Sequence, residues 1–150
     1  MEAKVTFCGG MRFVGRADSG HGVLMDTGEA HGGTDCAARP NELLLIGLAG
    51  CTGMDVISIL RKKRQQVTGL ELVVRAEPAP QPPKRFTEIA VEYRVRGTGL
   101  DPAAVARAIE LSETAYCSVG LTLRSPVSIT STFTILEDAA PQGAATANRQ

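Results

Sequence analysis

The stretch Pro40-Asn41-Glu42-Leu43-Leu44-Leu45-Ile46-Gly47-Leu48-Ala49-Gly50-Cys51-Thr52-Gly53-Met54-Asp55-Val56-Ile57-Ser58-Ile59-Leu60 decides how this chain folds. Proline suits the first helical position, and Glu42 sets a carboxylate in the first turn, where the helix dipole favours it. Apolar residues then occupy nearly every side of the helix, up to the basic run Arg61-Lys62-Lys63-Arg64 at its C-terminal end. That run reads as a solvated helix end that complements the dipole. From Pro40 to about Gln65 the helix would run roughly 39 Å, about the diameter of a compact domain of this size. One small sheet covers only one side of it. A second copy of the chain is the economical cover for the other, so a homodimer is expected. Gly47, Gly50 and Gly53 recur on one slowly drifting face, where a backbone or a neighbouring helix can come close.

The same stretch reaches the lower length limit for a bilayer span. Its three glycines and Asp55 argue against one, since an ionised Asp costs about 2.5–3.5 kcal/mol near the bilayer centre. A buried helix, with no membrane partner, is the expectation.

Around it the pattern is mostly strand. Lys4–Phe7 and Met11–Val14 alternate about a turn at Gly9-Gly10, and Gly22–Asp26 makes a third strand. A Gly-rich loop over residues 27–39 leads into the helix. Leu70–Arg75 reads as a strand, Pro78–Pro83 as a loop, and Phe86–Val95 as a strand with Ile89, Val91, Tyr93 and Val95 on one face. Asp101-Pro102 is a helix start, and helical period then continues to Cys117. Val127–Ile135 is a last strand, and residues 139–150, rich in Ala, Gly and polar types, read as a disordered tail. The order β-β-β-α-β-β-α-β defines one α+β domain over residues 1–138, its sheet mainly antiparallel.

Composition excludes several functions. Among 150 residues, 16 Lys and Arg balance 16 Asp and Glu, so no field selects nucleic acid or an anionic membrane. Trp is absent and aromatics are 4%, a poor supply for stacking on bases. The segment Met1–Val5 lacks the apolar run of a signal peptide, which points to the reducing cytoplasm and to thiols that stay free. Cys8, Cys36, Cys51 and Cys117 show no zinc spacing. His31 and Cys36 alone are too few ligands, so no metal and no cofactor are expected. A thiol at Cys51, held from bulk water in an apolar helix, becomes a redox centre if a second thiol meets it.

Three motifs, in order, carry a resemblance over all but the last dozen residues. They are Pro40-x-Glu42 through Gly50-Cys51-x-x-Met54-Asp55-Val56, then Arg85-Phe86-Thr87-x-Ile89, then Tyr116-Cys117-Ser118-Val119. Ser19-Gly20-His21 with Leu24-Met25-Asp26 adds a fourth. With these the chain resembles the OsmC/Ohr family of stress-related thiol peroxidases, and more closely its YhfA-like branch. The resemblance implies an intertwined homodimer, antiparallel sheets wrapped around two long central helices, with a site at each end of the interface. It implies that Cys51 is the peroxidatic thiol and Cys117 the resolving one, in a thiol-dependent organic hydroperoxide reductase recycled by a dithiol.

The resemblance also implies an arginine beside the thiolate, held by a glutamate. Arg12 is the nearest match, with Arg16 in reserve. The family's glutamate position is held here by Asn41, and Glu42 is its neighbour. Bare chemistry adds that Asp55, four residues on, would oppose ionisation of Cys51 unless paired, for instance with Arg85 or Arg124. It adds that Cys117, placed at a helix C-terminus, would face carbonyls that disfavour a thiolate. The alternative reading is a non-catalytic protein of the same family, binding an apolar small molecule at the dimer interface.

Overall fold

The structure is a computed structural model, and it describes residues 1–124. The expected last strand at Val127–Ile135, the domain end at 138 and the tail at 139–150 lie outside those residues. Within them the architecture is α+β with antiparallel sheets and one long helix, as the sequence pattern indicates.

Strands β1 (Ala3–Phe7), β2 (Phe13–Ala17) and β3 (Gly22–Met25) form an antiparallel sheet in the order β1-β2-β3. The second strand starts two residues later than Met11. The Cys8 N–H donates to the Arg12 carbonyl and the Arg12 N–H to the Gly9 carbonyl, so Met11 and Arg12 belong to the turn. Gly9 and Gly10 take φ of 94° and 62°, a backbone that side chains disfavour. Asp26, 2% exposed, then ties the following loop to the sheet. Its Oδ2 accepts from the Thr34 N–H (3.0 Å), the Thr34 hydroxyl (2.7 Å), the Cys36 N–H (3.3 Å) and the Cys36 thiol (3.3 Å). The Thr34 hydroxyl bond is the main reason its carboxyl sits well below the usual carboxylate range.

Helix α1 spans Pro40–Lys62, about 35 Å at 1.5 Å per residue. It stops short of Gln65 because Arg64 turns left-handed (φ 56°) and redirects the chain into β4. Its Leu48, Thr52, Val56 and Leu60, four residues apart, make the buried stripe. That stripe lies on the hairpin of β4 (Gln66–Pro78) and β5 (Phe86–Thr98), paired in antiparallel register with Leu72 opposite Tyr93. Val56, Leu60 and Ala108 are sealed at the centre, with Val67, Leu70, Tyr93 and Val95 packed around them. At Gly53 a Cβ would stand 3.1 Å from the Leu72 side chain, so glycine lets the helix settle on the sheet.

The opposite side of α1 is bare. Met54 is 74% exposed and Ile46 59%, and Phe7 on β1 is 60% exposed.

Helix α2 (Pro102–Leu111) is capped by Asp101, whose carboxylate accepts from the Ala103 N–H at 2.9 Å. The helix does not run on to Cys117. Residues Ser112–Tyr116 form a wide π turn, Cys117 is extended (φ −68°, ψ 94°), and a helix absent from the sequence reading, α3 (Ser118–Arg124), starts directly after it.

Candidate active site

Helix α1 presents Cys51 and Asp55 one turn apart, and the break between α2 and α3 brings Cys117 against them. The two sulfurs and a carboxylate oxygen of Asp55 lie within 4.8 Å of one another. Both thiols are free. Cys51 is half-buried, whereas Cys117 is sealed at 1% exposure. The sulfur a solute can reach is therefore Cys51.

The break also determines the electrostatics. A helix leaves its first N–H groups without internal partners, and here those of α3 point at sulfur. The Gly120 N–H donates to Cys117 Sγ at 3.3 Å, and the Thr52 hydroxyl donates to the same sulfur at 3.2 Å. The expectation that carbonyls surround Cys117 is thus corrected, because the residue precedes a helix instead of ending one. The Val119 N–H acts on Cys51 and pulls its thiol below the ordinary value, against burial, with help from Cys117 and Ser118. Ser118 Oγ stands 4.0 Å from Cys51 Sγ. Asp55 opposes the shift as expected, and it is the smallest of these influences.

Asp55 is not paired with Arg85 or Arg124 among the described residues. Its Oδ2 accepts from the Ser112 hydroxyl at 3.1 Å, while Arg124 donates to the Glu113 main-chain carbonyl at 2.6 Å. Arg12 stays in the β1–β2 turn, with its Nε 3.4 Å from the Gly9 carbonyl. Glu42 caps its own helix by accepting from the Arg39 N–H at 2.9 Å, and it faces the Arg39 guanidinium at 3.9 Å. Among the described residues of one chain, neither Arg12 nor Glu42 bonds to Cys51. Cys36 is engaged with Asp26 and not with His31.

The motif Arg85-Phe86-Thr87-x-Ile89 lies across Cys117 from Cys51. Phe86, Thr87 and Ile89 line a cavity of about 270 Å³ with Leu48, Tyr93 and Cys117. In its wall the Tyr93 hydroxyl donates to Glu113 at 2.9 Å, and burial chiefly raises the Tyr93 pKa. The α3 amides were the feature that sequence reasoning missed. A small polar residue and a glycine follow Cys117, in Ser118-Val119-Gly120, and this was the available sign of a new helix start.

A long helix bearing a half-buried thiol, covered by an antiparallel hairpin and met by a second thiol at the break between two shorter helices, defines the OsmC type of α+β protein. The OsmC-like protein family model matches residues 31–132, and the chain belongs to that family. It is 40% identical to Protein YhfA of Escherichia coli strain K12 over 136 residues, 91% of this chain and 98% of that protein. Among solved structures, a hypothetical protein from Aquifex aeolicus superposes with a TM-score of 0.71 at 28% identity, over 82% of this chain and 86% of that one. An organic hydroperoxide resistance protein OsmC from Legionella pneumophila shares the fold at 18% identity, with a TM-score of 0.59 over 82% and 88%.

Proposed function

We propose that this protein is a stress-response enzyme of the cytoplasm, reducing organic hydroperoxides with Cys51 as peroxidatic and Cys117 as resolving thiol. The observation that supports this most is the pairing of one accessible, acidified thiol with one sealed thiol inside 4.8 Å. The Cys51 thiolate attacks the O–O bond of ROOH. With one proton the products are ROH and a sulfenic acid on Cys51. The Cys117 thiol then condenses with it, forming the S–S bond and releasing water. An S–S bond is about 2.05 Å long, so the sulfurs close by under about 3 Å. A dithiol reductant restores both thiols.

The substrate class comes from the Legionella protein's name and from the apolar residues beside Cys51, which suit an alkyl group better than a small hydrated peroxide. The bare side of α1 and the exposed β1 support a homodimer that covers both. A second copy would also be the source of any guanidinium at Cys51, from Arg12 for example.

One observation favours the non-catalytic alternative: the cavity of about 270 Å³, lined by apolar and polar residues alike, has Cys117 and not Cys51 in its wall. Turnover decides between them. Reduced protein with dithiothreitol should consume tert-butyl hydroperoxide faster than hydrogen peroxide. No consumption of either would leave a ligand-binding protein with idle thiols.

A further inference from the structure

We propose that Cys51, Asp55 and Cys117 form a binding site for a thiophilic divalent cation of the zinc type, filled when both thiols are reduced. Three donor atoms, two sulfurs and an oxygen, come within 4.8 Å of one another. Tetrahedral zinc has metal–sulfur bonds of about 2.3 Å and metal–oxygen bonds of about 2.0–2.2 Å, which sets neighbouring donors roughly 3.5–3.8 Å apart. A movement of about 1 Å gathers the three. Ser118 Oγ, 4.0 Å from Cys51 Sγ, or a water completes the fourth position.

Each donor is already oriented by a neighbour. Ser112 holds the Asp55 carboxylate, Thr52 and Gly120 hold Cys117 Sγ, and Ser118 Oγ stands beside Cys51 Sγ. Such outer partners aim ligands in metal sites. The charge balance points the same way. Two thiolates and a carboxylate carry three negative charges, and among the described residues no Lys, Arg or His is hydrogen-bonded or ion-paired to any of them. Sulfur ligands select zinc-like ions over magnesium or calcium.

Uptake is an exchange of protons for metal. The two thiols release up to two protons, the carboxylate enters ionised, and the bound cluster carries one net negative charge. The metal then occupies the lone pairs that would attack a peroxide, so binding closes the thiol pair; oxidation of the two thiols to the disulfide by a hydroperoxide, which takes up the two electrons and leaves as alcohol and water, ejects the ion. The site requires only reduced thiols and stands apart from the reductase reading.

The test is titration of the reduced, full-length protein with Cd²⁺, followed by thiolate-to-metal charge-transfer absorption, and with Zn²⁺ against a chromophoric chelator. One ion per chain is expected. Cys51→Ser or Cys117→Ser, each removing a ligand, should weaken binding by at least the roughly 10–100-fold that loss of an outer partner costs, and Asp55→Asn should weaken it measurably but by less. Wild type carrying the Cys51–Cys117 disulfide should bind none, an arm that does not depend on any variant folding. Asp55→Asn binding as tightly as wild type would overturn the site, as would cadmium uptake that survives Cys51→Ser and is lost in Cys36→Ser. Cadmium binding with this ligand dependence in a protein that consumes no hydroperoxide supports the site and removes the reductase.

Discussion

The two thiols sit in opposite kinds of backbone. Cys51 lies inside an unbroken helix, about three turns from the α1 N-terminus and beyond the reach of its dipole. Cys117 lies where the chain leaves a π turn and begins a new helix. Taken alone, the first has no helix terminus within reach, whereas the second receives the Gly120 N–H and the Thr52 hydroxyl. Yet Cys51 is the accessible sulfur, and its acidity is lent by the Val119 N–H of the segment that carries its partner. The two thiols are thus coupled through one feature: the break that positions Cys117 also supplies the N–H that lowers the pKa of Cys51.

The largest break in that comparison is removal of the proposed nucleophile. Cys51→Ser should reduce hydroperoxide turnover to background, because a hydroxyl is a far weaker nucleophile. Cys117→Ser should leave a single turnover, followed by stalling and sulfinic acid on Cys51 visible by mass spectrometry. Retained multiple turnover would mean that another thiol resolves it.

Smaller changes test the lent acidity. Because the Cys51 pKa is lowered, its thiolate persists to lower pH, and alkylation by iodoacetamide should reach its plateau below the pH of an ordinary thiol, near about 8.5. Val119→Pro removes the donating N–H in a first turn that tolerates proline. The alkylation profile should move to higher pH and the neutral-pH rate should fall several-fold, with circular dichroism reporting the fold. Asp55→Asn should move the profile the other way and by less, since Asp55 is the weakest influence on Cys51. Arg12→Ala should change the profile least. A clear upward shift there would show that a second copy delivers the guanidinium.

The fold was legible because α1 and β5 obey their periods: Leu48, Thr52, Val56 and Leu60 at four-residue spacing, and Ile89, Val91, Tyr93 and Val95 at two. The pairing of Cys51 with Cys117 came from motif resemblance, and both residues meet in space. What stayed hidden was the break at Ser112–Tyr116. A π turn keeps helical composition, so Val105, Ala108, Ile109 and Ser112 extend the pattern smoothly past the point where the backbone departs from it. Arg12 looked like strand because Gly9 and Gly10 turn later than the alternation suggests. Asp55 looked like an ion-pair partner because Ser112, an uncharged hydroxyl 57 residues further along the chain, is not visible in a charge pattern.

The central claim is tested most directly by oxidising the reduced protein with one equivalent of tert-butyl hydroperoxide and mapping its peptides. The account predicts one Cys51–Cys117 disulfide and one tert-butanol per chain. Untouched thiols, or a Cys8–Cys36 bond in place of it, would contradict it.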